Sequence, residues 1–289
     1  MKLRRTMLYV PGNAPAMLRD AHIYGPDSVL FDLEDAVSPR EKDAARHLVF
    51  QALRNYDYGG VERVVRINGL DTPYGLEDIA AVVSGGADVI RLPKTDSPED
   101  IIAVERAVEA AERRFGRKPG STALMAAIES ARGILAAREI AAASPRLVAI
   151  AIGAEDFVTD LHTTRSPDGI ELLAARSLLV MAARAAGIMA IDTVFTGVDD
   201  EEGFVREARL AKQLGFDGKS VIHPSQIVLA HGVWTPTPEE LAKARRVVAA
   251  AADAEAKGSG VISLDGKMID KPIVERALRV MALAGEVEA

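Results

Sequence analysis

The sequence predicts a closed (β/α)8 barrel of the TIM type, followed by a C-terminal helical cap or arm. Eight short β-rich runs alternate with helical ones along the chain. Most of these runs are almost unbroken in apolar residues, the pattern of parallel strands covered on both faces. No GxGxxG turn follows the first run, so the six-stranded dinucleotide-binding alternative lacks its fingerprint.

The expected strands are Arg5–Val10, Ser28–Asp35, Arg63–Asn68, Asp88–Pro93, Ala123–Glu129, Leu147–Gly153, Met189–Val194 and Lys219–Ile222. Between them, apolar residues recur at helical spacing over Arg40–Arg54, Leu76–Ser84, Pro98–Phe115, Arg132–Ala143, Gly169–Ala186 and Glu201–Leu214. Ser38-Pro39, Ser97-Pro98 and Ser166-Pro167 read as helix starts, and Gly116, Gly187 and Gly215 as helix ends. The barrel is expected to occupy residues 1–235. Residues 236–289 are surplus to it: an alanine-rich charged helix over Thr237–Lys257 with Gly258 beyond it, a turn at Asp265-Gly266, and a last helix over Lys271–Ala284. A lid, or an arm onto a neighbouring subunit, would account for them.

The chain has 289 residues, 48% hydrophobic and 27% charged, enough to bury a large core. It contains no cysteine, which excludes structural disulfides, thiolate metal sites and a cysteine nucleophile. A net charge of −7 argues against a nucleic-acid surface, and no apolar run is long enough to span a membrane. A cytoplasmic location is the natural expectation. Lys2, Arg4 and Arg5 near the N-terminus read as solvated, or as an edge for a phosphate-bearing ligand, and His22, His47, His162 and His231 as surface residues.

Polar residues collect where barrel chemistry is done, at the C-terminal ends of the strands. Asp32, Glu34 and Asp35 close the second run, Arg66 and Asn68 the third, and Arg91 and Lys94 the fourth. Glu129 closes the fifth, Glu155 and Asp156 follow the sixth, Asp192 and Thr193 end the seventh, and His223 ends the eighth. Glu129 and Asp156 come from neighbouring strands. Two oxygen donors without sulfur or imidazole suit a hard ion such as Mg2+ that keeps water ligands. The competing reading is that such acids cap the helices that follow. Arg66 is either the ion-pair partner of Glu34 or Asp35 or a fork presented to a substrate oxygen, two roles that are compatible. Lys94 reads as a charged, solvated lysine, with a Schiff-base role as the alternative. His223 is either a rim histidine or a ligand contact.

The blocks YVPGN, FDLEDAVSPREKDAAR, VVRINGLDTPYG, DVIRLPKT, AAIES, IGAEDF, RSPDGIELLAARS, QLGFDGKSVIHPSQI and GVISLDGKMIDKP, in this order, resemble the citrate lyase beta-subunit family, within the wider group of malyl- and citramalyl-CoA lyases. The resemblance runs nearly end to end. It implies Mg2+ held by Glu129 and Asp156, substrate contact by Arg66, and trimers or hexamers in which Asp270 reaches a neighbour's active site. It further implies partner subunits, an acyl carrier protein and an acyl transferase, with citrate and oxaloacetate as the small molecules. The reaction so implied is retro-Claisen cleavage of a citryl thioester to oxaloacetate and an acetyl thioester. Asp270 would then move a proton, Glu34 or Asp35 would orient Arg66, and Lys94 and His223 would join Arg66 and Glu129 in contacting substrate. The alternatives are a stand-alone lyase using free CoA thioesters, an aldolase working through Lys94, and a catalytically silent subunit that docks the carrier.

Overall fold

The computed structural model describes residues 2–256, 262–265 and 267–286. In chain order the first elements are β1 Thr6–Pro11, α1 Pro15–Asp20, β2 Ser28–Asp32, α2 Lys42–Asn55, β3 Glu62–Arg66, α3 Gly75–Gly85, β4 Val89–Leu92, α4 Pro98–Arg114 and β5 Ala123–Ile128. There follow α5 Ala131–Leu135, α6 Ala137–Ala141, β6 Leu147–Ile152, α7 Ala154–Asp160, α8 Ile170–Ala186, β7 Met189–Asp192, α9 Glu201–Leu214, β8 Gly218–Val221 and α10 Pro224–Trp234. The eight strands pair in sequence order, all parallel, and β8 closes onto β1 through Thr6↔Lys219, Met7↔Ser220 and Leu8↔Val221. The expected barrel is therefore the one observed.

Contacts divide the chain into a unit of Arg4–His231 and a C-terminal unit that begins at Gly232 and includes the extreme N-terminus. The C-terminal unit holds α11 Pro238–Ala256, an antiparallel hairpin of β9 Ile262–Leu264 and β10 Lys267–Ile269, and α12 Lys271–Leu283. Its own small core joins Ala244, Val247, Ile269 and Ala277. Lys257, Gly258 and Gly266, named above as helix end and turn, lie outside the described residues. Among the described residues no helix is long and apolar enough to cross a membrane.

Strand parity decides what faces the barrel interior. Residues two apart along a strand share a side. Met7, Leu30, Val64, Val89, Met125, Ala149, Ala151 and Ile191 form the apolar plug. One step of two further along, the inward positions on the first four strands become Tyr9, Asp32, Arg66 and Arg91, and two steps beyond Met125 comes Glu129. A floor of apolar packing thus sits beneath a polar mouth.

The strands are shorter at their C-terminal ends than the sequence suggests. β2 stops at Asp32, β3 at Arg66 and β7 at Asp192, so Glu34, Asp35, Asn68 and Thr193 stand in loops. The helix expected over Arg132–Ala143 is two short ones, α5 and α6, divided at Ala136. The short helices α1 and α7, of 6 and 7 residues, carry too few turns to show a helical period, and neither they, α10 nor the β9–β10 pairing was anticipated.

Arg4 and Arg5 are not solvated. The Arg4 guanidinium pairs with buried Glu62 at 2.7 and 2.8 Å, and Arg5 pairs with Asp27 at 2.8 Å, so neither is left for a phosphate ligand. His231 is not a plain surface residue either: its Nε2 shares a 3.0 Å hydrogen bond with the Thr6 hydroxyl. Gly218 is required where β8 passes the N-terminal segment, because a Cβ there would fall 1.9 Å from the Arg4 carbonyl oxygen.

Asp192 also departs from expectation. It faces outward from the barrel, opposite in parity to Ile191, and is fully buried under the helices. Arg176 donates to it at 2.8 and 3.0 Å and Lys219 at 2.9 Å, while Lys219 also reaches Glu207 at 2.6 Å. Asp192 is thus an anchor between the sheet and the helix layer and takes no part in the mouth. Removing one partner of a buried ion network strands the others in a medium that cannot solvate them. Asp192→Ala is expected to cost about 3–5 kcal/mol in urea unfolding; a loss below about 1 kcal/mol would show that the two cations find solvent instead.

Candidate active site

The mouth is organised by one row across three strands. Asp32, Arg66 and Arg91 are register partners on β2, β3 and β4. Asp32 accepts both arms of the Arg66 fork, from Nε at 2.7 Å and Nη2 at 2.6 Å. Burial works against an ionised Asp32, but the Arg66 fork and the backbone N–H groups of Glu34 and Ala36 outweigh it and hold the carboxyl below its ordinary range. Glu34 takes a further Arg66 donor at 2.8 Å, and Asp35 lies at 3.7 Å. The expected partners of Arg66 are present, but the fork itself belongs to Asp32.

The loop after β2 is held as firmly as the strand. Buried Lys42, from α2, donates to the carbonyls of Leu33 at 2.7 Å and Glu34 at 2.6 Å. The Asn68 amide donates to the Leu33 carbonyl at 2.9 Å and to Asp78 at 2.6 Å. Lys94, in a left-handed backbone conformation with φ 45°, bonds Glu34 at 2.6 Å. Glu34 and Asp35 together overcome desolvation and push the Lys94 ammonium above its ordinary range. A lysine held in its cationic form is unsuited to forming a Schiff base.

A cavity of about 490 Å3 opens over the plug, lined among others by Tyr9, Asp32, Arg66, Arg91, Glu129 and Asp156. Glu129 and Asp156 therefore share one chamber with Arg66. Neither acid caps a helix: Ser130 caps α5 by accepting from the Gly133 N–H at 2.9 Å, and Gly153 occupies the N-cap of α7 without a side-chain bond. Among the described residues no hydrogen bond ties the Asp156 carboxylate, which is exposed to the chamber, to the turn that carries it.

Glu129 is buried, and its Oε2 has no hydrogen-bond partner among the described residues. Burial first, with the charges of Glu34 and Asp156 added and those of Arg91 and Arg66 opposing, pushes its carboxyl up to about 7. A carboxylate so placed is satisfied by a cation. Gly153 leaves the place of this side chain open, since a Cβ there would fall 2.5 Å from Glu129 Cγ and 2.8 Å from Oε1. Among the described residues no cluster of three or more His, Asp or Glu converges on one point. Two protein carboxylates with water and substrate completing the shell is the arrangement that suits Mg2+, and the donor set fits it.

His223 is exposed on the rim, where its Nδ1 meets the Ser225 hydroxyl at 2.8 Å, and it does not line the chamber; Ser220 and Ile222 do so from that strand and its end. Asp270 belongs to the C-terminal unit and caps α12, accepting from the Ile273 N–H at 3.1 Å. A larger hollow, of about 800 Å3, lies among outer-helix residues such as Glu201, Arg206 and Leu210, away from the strand ends. Asp32 as the holder of the fork, Tyr9 stacked 5.3 Å from the Arg66 guanidinium, and Ser220 were not singled out beforehand. Parity could have found all three, since each lies an even number of positions from a plug residue or from another lining residue on its strand.

Comparison with known proteins supplies a family. Residues 5–224 match the model of the HpcH/HpaI aldolase/citrate lyase family. Citrate lyase subunit beta of Leuconostoc mesenteroides subsp. cremoris is 57% identical over 283 residues, covering 98% of this chain and 94% of that protein. A (3S)-malyl-CoA thioesterase of Cereibacter sphaeroides is 37% identical over 285 residues, covering 99% and 96%. The crystal structure of CitE from Mycobacterium tuberculosis in complex with magnesium, acetoacetate and coenzyme A superposes with a TM-score of 0.78 at 33% identity, over 98% of this chain and 99% of that one. With a closed barrel, strand-end acids around one chamber and identity above half over nearly the whole length, the chain belongs to the HpcH/HpaI aldolase/citrate lyase family, on the branch of the citrate lyase beta subunits.

Proposed function

We propose that the chain is the Mg2+-dependent carbon–carbon lyase that cleaves a citryl thioester on an acyl carrier protein to oxaloacetate and an acetyl thioester. The observation that carries this is a buried carboxylate, Glu129, with an unsatisfied oxygen, in one chamber with Asp156 and with an arginine whose fork is already aimed. The identity to named citrate lyase beta subunits and the magnesium in the M. tuberculosis complex support the reading.

In the proposed reaction the carbinol hydroxyl loses its proton and becomes the ketone of oxaloacetate. The bond from the carbinol carbon to the methylene beside the thioester breaks, and its electron pair passes to the thioester as an enolate. That carbon then takes a proton to give the acetyl thioester. Glu129 and Asp156 hold the divalent cation, which when bound supplies Lewis-acid stabilisation of negative charge. Arg66, locked by Asp32 and Glu34, offers its remaining N–H groups to the thioester oxygen as charge develops there. Locking beforehand matters, because a donor already in place costs no reorganisation during the reaction. Glu34 and Lys94 hold each other and the loop, while Asp35 lies at the chamber edge. Asp270, reaching from a neighbouring copy in a trimer or hexamer, is proposed to move one of the two protons. The acyl carrier and acyl transferase subunits are proposed as the partners that load the thioester.

Purified chain supplied with a carrier-bound citryl thioester is expected to release oxaloacetate, and chelator to stop it. Release from free citryl-CoA at an equal or greater rate would instead favour the stand-alone lyase. Asp156→Ala should remain folded, lose calorimetric Mg2+ binding and lose turnover together. Arg66→Lys should keep Mg2+ binding and lose turnover by about 10²–10³-fold; turnover that persists with chelator or in either variant removes the corresponding residue from the mechanism.

The pH dependence follows from Glu129, whose carboxyl is pushed by burial up to about 7 from an ordinary 4.5. Between these values the folded chain retains a proton that the unfolded chain has released, so this group's contribution favours folding less as pH rises through that window. Mg2+ must displace that proton. Its affinity should rise by about tenfold per pH unit up to about 7 and then level off, as read by titration calorimetry; a flat profile would mean that Glu129 does not bind the ion. Mixing Asp270→Asn with Asp156→Ala chains should recover part of the activity that each lacks alone, and proven mixed oligomers without recovery would place Asp270 outside the neighbour's site.

A further inference from the structure

Seven buried side-chain polar atoms have no hydrogen-bond partner among the described residues, and three of them belong to residues lining the one chamber: Glu129 Oε2, Arg91 Nε and Ser220 Oγ. The cation accounts for the first. Arg91 and Ser220 are left over, and buried polar groups go unpaired rarely enough that two in one cavity require an explanation.

Arg91 is 1% exposed and permanently charged. Its neighbours are the Tyr9 ring at 5.6 Å and the Met7 sulfur, 3.6 Å from Nη1. No carboxylate among the described residues lies within ion-pair distance of it. The row across the strands shows why. Asp32, Arg66 and Arg91 are consecutive register partners, and Met125 is next on the far side. The only acid in that row is already spent on Arg66. Arg91 acts on the Glu129 carboxyl from a distance, but Glu129 is the ligand assigned to the ion. Ser220 approaches from the other side of Met7, which is its register partner on β1. A guanidinium with unused donors and a hydroxyl with no partner, both facing one chamber, describe a receptor for an anion with planar oxygens.

We infer that Arg91, assisted by Ser220, is the specificity-determining carboxylate receptor of this site and reads the carboxymethyl arm of the substrate. The inference rests on the proposed reaction. A citryl thioester carries two free carboxylates, one on the carbinol carbon beside the hydroxyl and one at the end of its carboxymethyl arm. The first sits with the hydroxyl in the arrangement that chelates a divalent ion. The second has no other cation in the chamber whose fork is free. A malyl thioester has hydrogen, and a citramalyl thioester a methyl group, where citryl carries this arm, so a receptor for its carboxylate separates the three. A site built to pair a charged group rejects an analogue without that group far more strongly than an apolar pocket rejects a missing methylene.

The test compares binding of oxaloacetate with that of pyruvate, which lacks only this carboxylate, to Mg2+-loaded protein by calorimetry. Wild type is expected to prefer oxaloacetate by about a hundredfold or more. Arg91→Met should bring the two within about threefold by weakening oxaloacetate far more than pyruvate, both measured at saturating Mg2+ because Arg91 also acts on the Glu129 carboxyl. The melting temperature of this variant should be equal or higher, because a buried guanidinium with no carboxylate at ion-pair distance has been replaced by an apolar chain of similar length. Arg91→Lys keeps the charge and loses the fork, and should lower the preference by about tenfold at unchanged stability. A preference that survives both variants, or a clear fall in melting temperature with Arg91→Met, overturns the receptor and leaves the proposed reaction standing. Absence of any Mg2+-dependent binding of either acid to wild type overturns the reaction reading, and the receptor falls with it.

Discussion

The bidentate pair between Asp32 and Arg66 is the constraint on which the chamber depends. It joins two adjacent strands at the level where apolar plug gives way to polar mouth, and both partners are almost fully removed from water. A buried pair of this kind adds little net stability, since desolvation offsets most of the attraction. What it does fix is direction. With Nε and Nη2 committed to Asp32, the Arg66 plane cannot rotate, and the donors left over point to a single region. The loop carrying Glu34 and Asp35 is then tied to the same frame through Lys42 and Asn68. Orientation is inherited from strand pairing, and loop flexibility has little to contribute.

Two ion networks of the one barrel serve opposite purposes. On the outer side, Asp192, Arg176, Lys219 and Glu207 set two acids against two cations and join the sheet to the helix layer, although Arg176 Nη1 has no partner among the described residues. On the inner side, compensation is incomplete: Glu129 has an orphan oxygen and Arg91 an orphan nitrogen. Parity places a charge-balanced network and an unbalanced one on opposite faces of the same barrel. Incomplete networks cost stability in the free protein, and sites that act on ligands are where such costs persist. The elevated carboxyl of Glu129 expresses the same imbalance as a proton held until a cation arrives.

The barrel was legible in the sequence because its signal is repeated eight times, and an error at one strand end leaves the alternation intact. Glu129 and Asp156 were legible as strand-end acids on neighbouring strands, and the structure brings them to one chamber. Less was legible where position depends on a single residue of register. Asp32 and Asp192 both read as acids at strand ends, yet the first points inward and the second outward. The partner of the Arg66 fork was sought in Glu34 and Asp35, whereas the ladder sets Asp32 directly beside it. His223 shares the end of β8 with the chamber but turns to Ser225, a rotamer preference that no pattern of residue types encodes. Asp270 could be named from resemblance alone, and what the fold adds is its local task at the start of α12.

Gly153 gives the chamber a property that no inventory of its ligands would reveal. The Glu129 side chain can lie where it does because residue 153, just past the end of β6, has no Cβ to meet its Cγ at 2.5 Å. A homologous chain with both acids and the arginine intact, but with alanine at this position, would look fully equipped in an alignment of functional side chains and would still have its acid displaced. Identity of the site is written as much in an omitted methyl as in the groups that do the chemistry.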